Sequence, residues 1–211
     1  MIPTKEEFQE ALIKRHGEYN QKKFDEAVVA ICGLGGLGSN IAICLARAGV
    51  GHLTLIDFDF VDVSNLHRQQ YKASQVGMAK TDALTANLKE INPYIEIESH
   101  QIKLTEDNAL PFLEKADIIC EAFDSPESKA MLVNLVLEKM PDKYILSGSG
   151  MAGFNSVNDI KTRKVSKHFY LSGDGVSDVN DGIGLISSRV MVCGAQEAHM
   201  VLRILIGELD A

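Results

Sequence analysis

The run Gly33-Leu34-Gly35-Gly36-Leu37-Gly38 directly follows the apolar segment Ala27-Val28-Val29-Ala30-Ile31-Cys32. Glycines there let the backbone close on a phosphate, and a helix N-terminus just behind them favours negative charge. Asp57 ends the next apolar segment, His52-Leu53-Thr54-Leu55-Ile56, where a carboxylate can bond both hydroxyls of an adenosine ribose. Glycines and acid together, set in a strand, turn, helix and strand, distinguish a nucleotide site from mere tight packing. The obvious ligand of that pair is NAD, but the residues downstream suit a polyphosphate better. After Asp57-Phe58-Asp59, the segment Phe60-Val61-Asp62-Val63-Ser64-Asn65-Leu66-His67-Arg68-Gln69 puts Asn65, Arg68 and Gln69 in one loop. Lys80 opens the following helix as a second cation, and Asp124 stands after the fourth strand on the glycine-loop rim. A carboxylate beside a triphosphate commonly holds Mg²⁺. Arg, Lys and Asp-bound Mg²⁺ around phosphates match the charge that develops in nucleotidyl transfer.

These residues need a scaffold that brings strand ends to one edge. Residues 5–27 read as helical, with Phe8, Leu12 and Ile13 on one side. Helical spacing returns in Ser39 to Ala48, Lys80 to Ile91, Asp107 to Lys115 and Glu127 to Met140. Between them lie strand-like runs at His52 to Ile56, Ile95 to Glu98, Ala116 to Cys120 and Tyr144 to Leu146. This alternation predicts an α/β, Rossmann-like, mostly parallel sheet with helices on both faces. Past Gly150 the pattern weakens, and residues 154–165 are expected to add antiparallel structure. The polar, glycine-rich stretch within residues 173–184 is too long for a tight turn and is expected to be a flexible, functional loop. Ser187 to Gly207 reads as a long apolar helix with Gly207 past its end. The expected organisation is a single domain over residues 1–211 with an N-terminal helical arm at 1–26.

Composition limits the partners. The chain has 211 residues, 45% hydrophobic and 24% charged, with a formal charge of −8. That balance argues against non-specific binding to nucleic acid or an anionic membrane. The polar start Met1-Ile2-Pro3-Thr4-Lys5-Glu6-Glu7 and the short apolar runs predict a cytoplasmic protein. Cys32, Cys44, Cys120 and Cys193 form no Cys-x-x-Cys pair and sit among apolar or small neighbours, as buried thiols do. No metal-ligand spacing links His67, His168 and His199.

The glycine loop, Asp57-Phe58-Asp59, Ser64-Asn65-Leu66-x-Arg68-Gln69, Lys80 and Asp124 resemble the adenylating domain of the ThiF/MoeB/HesA group, bacterial relatives of the ubiquitin-activating enzymes. The opening Arg15-His16-Gly17-Glu18-Tyr19-Asn20-Gln21 looks most like the short ThiF-type proteins. The resemblance implies ATP-dependent adenylation of a small ubiquitin-like sulfur carrier, ThiS-like, at its Gly-Gly C-terminus, with thiamine biosynthesis as the leading pathway. It assigns Gly33, Gly35, Gly36, Leu37 and Gly38 to the phosphate loop and Asp57 and Asp59 to the nucleoside. Asn65, Arg68, Gln69 and Lys80 would contact phosphates, and Asp124 would position Mg²⁺. Arg15 would reach into the partner's site of a homodimer, and residues 173–184 would cross over the carrier tail. Zinc is not expected, because the two Cys-x-x-Cys pairs of the zinc-holding relatives are absent, as is a crossover cysteine. The alternatives are an NAD-dependent oxidoreductase, a catalytically inactive nucleotide-binding subunit, and a tRNA-modifying relative.

Overall fold

A computed structural model describes residues 2–211. The apolar run before the glycines forms β1 (Val28–Cys32), flanked in parallel by β2 (His52–Ile56) and β4 (Ile118–Glu121). With β3 (Glu96–His100), β5 (Tyr144–Gly148), β6 (Lys161–Lys164) and β7 (Phe169–Gly173) they form a seven-stranded sheet, ordered β3-β2-β1-β4-β5-β7-β6. Every pairing is parallel except β6 with β7. The register matters for the site. Cys32 stands opposite both Ile56 and Glu121, and Glu121 opposite Ser147. The segments beginning at Gly33, Asp57, Ala122 and Ser149 therefore emerge along one edge, as parallel strands with crossover helices require.

Two apolar layers cover the sheet. One face packs against α3 (Gly36–Ala48), α4 (Lys80–Ile91) and α7 (Ser187–Leu205), through Ile41, Leu45, Leu84, Leu88, Cys193 and Val201. The other packs against α5 (Leu110–Leu113) and α6 (Pro126–Lys139), through Leu113, Leu132, Leu135 and Val136. Strands buried on both sides explain why their sequences are continuous apolar runs rather than alternating ones. The helices α3 and α7 approach closely at Gly194, where an added Cβ would lie 2.9 Å from Asn40 Cβ.

The expected single helix over residues 5–27 is instead two, α1 (Lys5–His16) and α2 (Glu18–Glu26), divided at Gly17 with φ +81°. A left-handed residue cannot continue a helix. The helix expected from Asp107 contracts to Leu110–Leu113, because Asn108 Oδ1 accepts from Thr105 N–H at 2.8 Å and closes a turn in front of it. Part of the 154–165 segment becomes antiparallel β6, paired with β7, a strand the sequence pattern did not expose. Residues 173–184 carry a short 3₁₀ turn at Val179–Asp181, and Gly153 N–H donates to Gly184 O at 3.0 Å. No helix among the described residues is long and apolar enough to cross a membrane.

Candidate nucleotide site

The six residues after β1, a turn running into the first turn of α3, contain glycines of two kinds. Gly33 has φ +93°, and a Cβ there would lie 2.7 Å from Ala122 O. A Cβ on Gly38 would lie 1.9 Å from Gly33 O. Both are glycine because backbone runs against backbone. At Gly35, by contrast, an added Cβ would meet only Gln69 Nε2, at 3.7 Å. A Cβ on Gly36 would touch the side chains of Val190 and Arg68, at 2.9 and 3.4 Å. No side chain caps α3, so the N–H groups of its first turn, Leu37 and Gly38 among them, face the rim available to an anion. Tyr71 Oη donates to Leu34 O at 2.7 Å and pins the turn from behind.

Asp57 is buried just past β2. Its Oδ2 accepts from Leu34 N–H at 2.6 Å and its Oδ1 from Asp59 N–H at 2.8 Å. Burial raises its pKa, and the Lys80 ammonium, 3.8 Å away, opposes that rise. Lys80 is itself buried at the start of α4 and donates to Asp59 Oδ2 at 2.9 Å. The two acids fix the direction of the Lys80 side chain.

The loop after β2 supplies the second group. Asn65 Oδ1 accepts from Arg68 Nη2 at 3.1 Å and from Gln69 Nε2 at 3.0 Å, so one amide aims both neighbours. Arg68 Nε and Gln69 Oε1 are buried with no partner among the described residues. An unsatisfied buried polar atom costs about 1–3 kcal/mol, so these two are open positions for a bound group or water. Burial lowers the Arg68 pKa, and the nearby Asp124 carboxylate works the other way. Asp124 lies exposed in the turn after β4, on the Arg68 side of the rim. Gly33, Gly35, Gly36, Leu37, Gly38, Asp57, Asp59, Asn65, Arg68, Gln69, Lys80 and Asp124 thus share one end of the sheet.

Arg15 does not join them within the chain. It is exposed in the last turn of α1. Its neighbours on α1 and α2 pack on the far end of α3, where Gln21 Nε2 donates to Gly49 O at 3.1 Å. A 13-residue helix separates that end from the glycine loop, about 20 Å at 1.5 Å per residue.

Several residues escaped the sequence reading. Glu121, fully buried at the end of β4, accepts from Phe123 N–H, Lys129 Nζ and Ser147 Oγ. Arg189 is buried in the first turn of α7 and donates to Asp174 Oδ2 at 2.6 Å, tying the 173–184 loop to that helix. Burial works against it, yet bonds from Ser177, Val176 and Arg189 hold the Asp174 pKa down to about 2. Glu197, deeper in α7, is buried, and neither carboxyl oxygen has a partner among the described residues. His67 has its ring nitrogens near Ser64 O and Leu185 O, at 2.9 and 3.2 Å. The signal for the first three was charge inside otherwise apolar runs. All four cysteines are free thiols, and burial raises the pKa of each.

The donor set fits a magnesium–triphosphate pair. Mg²⁺ takes one or two carboxylates and completes its octahedron with phosphates and water, and Asp124 beside Arg68 offers one such carboxylate. No group of three or more His, Cys, Asp and Glu side chains among the described residues is arranged to hold a metal ion by itself. A surface groove of about 860 Å³ runs along α7 and β6, lined by Lys161, Val192, Gln196, His199, Met200 and Arg203. It lies away from the glycine loop.

The parallel sheet, uncapped glycine turn and strand-end acid define a nucleotide-binding α/β protein, and the cations and second acid on the same rim set it apart from the dinucleotide binders. The chain belongs to the ThiF family, whose sequence model matches residues 8–210. It is 34% identical over 203 residues to the adenylyltransferase and sulfurtransferase MOCS3 of Culex quinquefasciatus, covering 93% of this chain and 45% of that protein. It is 30% identical over 204 residues to the adenylyltransferase and sulfurtransferase UBA4 of Lodderomyces elongisporus, covering 93% of this chain and 44% of that protein. The chain therefore spans less than half the length of these curated relatives. In fold it is similar to E. coli tRNA N6-threonylcarbamoyladenosine dehydratase, TcdA, in complex with ATP, with a TM-score of 0.86, 22% identity, and coverage of 99% and 98%. E. coli MccB aligns with a TM-score of 0.69 and 23% identity, over 96% of this chain and 63% of that one.

Proposed function

We propose that this chain is an ATP-dependent adenylyltransferase that activates the C-terminal glycine carboxylate of a small ubiquitin-like sulfur carrier of the ThiS type, in thiamine biosynthesis. The observation that carries this reading is the uncapped N-terminus of α3 ringed by Arg68, Lys80 and Asp124. The first-turn N–H groups of α3 would hold ATP phosphates, Asp57 the ribose, and Asp59 the position of Lys80. Arg68, aimed by Asn65, would donate to phosphate oxygens through its Nε, which has no partner among the described residues, and Gln69 would donate through its amide Nε2. A carrier carboxylate oxygen attacks the α-phosphorus, the bond to the pyrophosphate oxygen breaks, and the products are the acyl-adenylate and pyrophosphate. Mg²⁺, when bound, supplies charge neutralisation at the departing pyrophosphate. The protein's own part is electrostatic: fixed cations stand where negative charge accumulates, in a site that need not reorganise.

Exposed Phe154, Val157, Val176, Val179 and Ile183, in the 173–184 loop and the segment before β6, would supply an apolar surface for a small carrier. A homodimer accounts for Arg15, whose guanidinium has a use only in another copy's site. Exposed Met191 and the groove along α7 are consistent with a buried interface there. A second reading, activation of a group on tRNA, is favoured by one feature. Lys161, Arg163, Lys164 and Lys167 are exposed in one edge segment, with no ion pair among the described residues.

The test is ATP–pyrophosphate exchange with carriers ending in Gly-Gly, with tRNA as a parallel arm. Carrier-dependent exchange is expected. No exchange with any carrier, together with tight NADH binding, would overturn the reading.

A further inference from the structure

Glu121 is a carboxylate with no accessible surface at the last position of β4. The strand's pleat turns Ile119 into the apolar layer beneath α6, and Glu121 follows it there. Burying an acid in such a layer rarely stabilises a fold more than an apolar residue of the same size. The geometry around it is correspondingly complete. Its Oε1 accepts from Phe123 N–H at 2.7 Å, and its Oε2 from Lys129 Nζ at 2.6 Å and Ser147 Oγ at 2.5 Å. Three elements converge on one carboxylate: the turn after β4, helix α6 and strand β5.

The bond to Phe123 reaches toward Asp124. From the opposite side the same turn is held by the end of β1 and the start of the glycine loop, since Ala122 N–H donates to Cys32 O at 2.8 Å and Gly33 leaves no room for a Cβ against Ala122 O. The Ala122-Phe123-Asp124 turn is thus gripped between the phosphate loop and Glu121, and it delivers Asp124 to the Arg68 side of the site.

We propose that Glu121, locked by Lys129 and Ser147, is the positioning residue that aims Asp124 at the metal–phosphate group of the nucleotide. The proposal rests on the adenylation reading for its chemistry, while its geometry is independent of the carrier. Glu121 touches neither nucleotide nor carrier; it acts through Asp124. The Ser147 bond also couples the neighbouring strand end to the same carboxylate, so β5 contributes to the aim of a residue on the turn after β4.

The experiment uses the full chain with Glu121→Gln, Ser147→Ala, Asp124→Asn and the Glu121/Asp124 double variant. Calorimetric ATP binding is measured across a Mg²⁺ titration, and amide hydrogen exchange is followed at Phe123. In Glu121→Gln, half-saturating Mg²⁺ is expected to rise about tenfold, ATP affinity without Mg²⁺ to change less than about twofold, and Phe123 protection to drop. Ser147→Ala, which keeps the Lys129 pair, should move the same readouts less and serves if Glu121→Gln does not fold. Adding Glu121→Gln to Asp124→Asn should cost nothing more, because the first acts only through the second. Wild-type Mg²⁺ dependence with intact Phe123 protection, or defects that multiply in the double variant, would overturn the proposal. If the wild type binds Mg²⁺–ATP but exchanges pyrophosphate with no Gly-Gly carrier, the adenylation reading fails, and the binding and exchange readouts still decide the role of Glu121.

Discussion

The two halves of the rim are built by different physics. At β1, α3 and β2 the site is made of backbone: glycines that admit close contact, an uncapped helix start, and Asp57 accepting two N–H groups. At β4, β5 and α7 it is made of buried charge: Glu121 with Lys129, Arg189 with Asp174, and Glu197, which has no partner among the described residues. Backbone sites tolerate almost no added volume, because a main chain cannot swing aside. Buried-charge sites tolerate volume but not a change of charge, because each group's ionisation is set by its neighbours. The same rim therefore fails in two ways, sterically on one side and electrostatically on the other.

The largest expected effect tests the steric side. Gly38→Ala places a Cβ 1.9 Å from Gly33 O and should destroy the loop, with loss of soluble folded protein or of all nucleotide binding. Gly35→Ala meets only the tip of Gln69 and should fold normally while weakening ATP binding. Thermal melts with and without ATP check both. Equal behaviour of the two variants would erase the distinction between packing and ligand glycines.

On the electrostatic side, Asp124→Asn should lower Mg²⁺-dependent pyrophosphate exchange by about two orders of magnitude or more without unfolding the chain. Co-expression with Arg15→Ala sharpens this. Each homodimer should be nearly inactive, while mixed dimers should regain one working site, which pairs an intact Asp124 with an intact partner arginine. Mixed dimers that form without recovery would confine Arg15 to its own subunit or to no role.

A smaller effect is expected at Lys80. Lys80→Ala should slow exchange by about tenfold or more with a lesser change in ATP affinity, if its charge is needed mainly as pyrophosphate departs. Because Lys80 is wedged between Asp57 and Asp59, the variant also leaves two carboxylates facing each other. Lys80→Arg should then restore much of the binding. A loss of affinity as large as the loss of rate would make Lys80 a ground-state binding residue.

The backbone half was legible in the sequence and the buried-charge half was not. Glycine spacing after an apolar run, and an acid after the next, carry their geometry with them, because only a few backbone arrangements satisfy such a pattern. The strand alternation likewise predicted a mostly parallel sheet covered by helices on both faces. Glu121, Arg189 and Glu197 each sit singly within apolar runs, and a single charge there reads equally as a strand end or a solvated helix position. Only the packing of α6 and α7 shows which charges meet. The division of the N-terminal helix at Gly17 was missed because a glycine within a helical pattern is often tolerated, and its positive φ is a property of the folded chain. Arg15 illustrates the remaining gap: its residue type and place in the chain suggested a role, yet α3 holds it far from the rim of its own subunit.

The last test leaves activity untouched and isolates Glu197, which probes the electrostatic side through the pH dependence of stability. Burial first, and then the Glu121 carboxylate, raise its pKa from an ordinary value near 4.5 to about 8, with Lys129 opposing. Cys120 on β4 and Cys193 on α7 also lie within its field, and burial keeps both as thiols. An unfolded chain releases this proton near its ordinary value, whereas the folded chain keeps it until about pH 8. Between those limits the native state binds the extra proton, so stability falls as pH rises through the interval and levels off above it. The slope from this one group is about 1.4 kcal/mol per pH unit at most. Glu197→Gln carries no such proton, so urea denaturation at successive pH values should show the variant gaining on the wild type from about pH 5 to pH 8. Curves that stay parallel across that range would mean that Glu197 is ionised in the native protein, and that a second cation or bound water compensates it between α7 and Gly148.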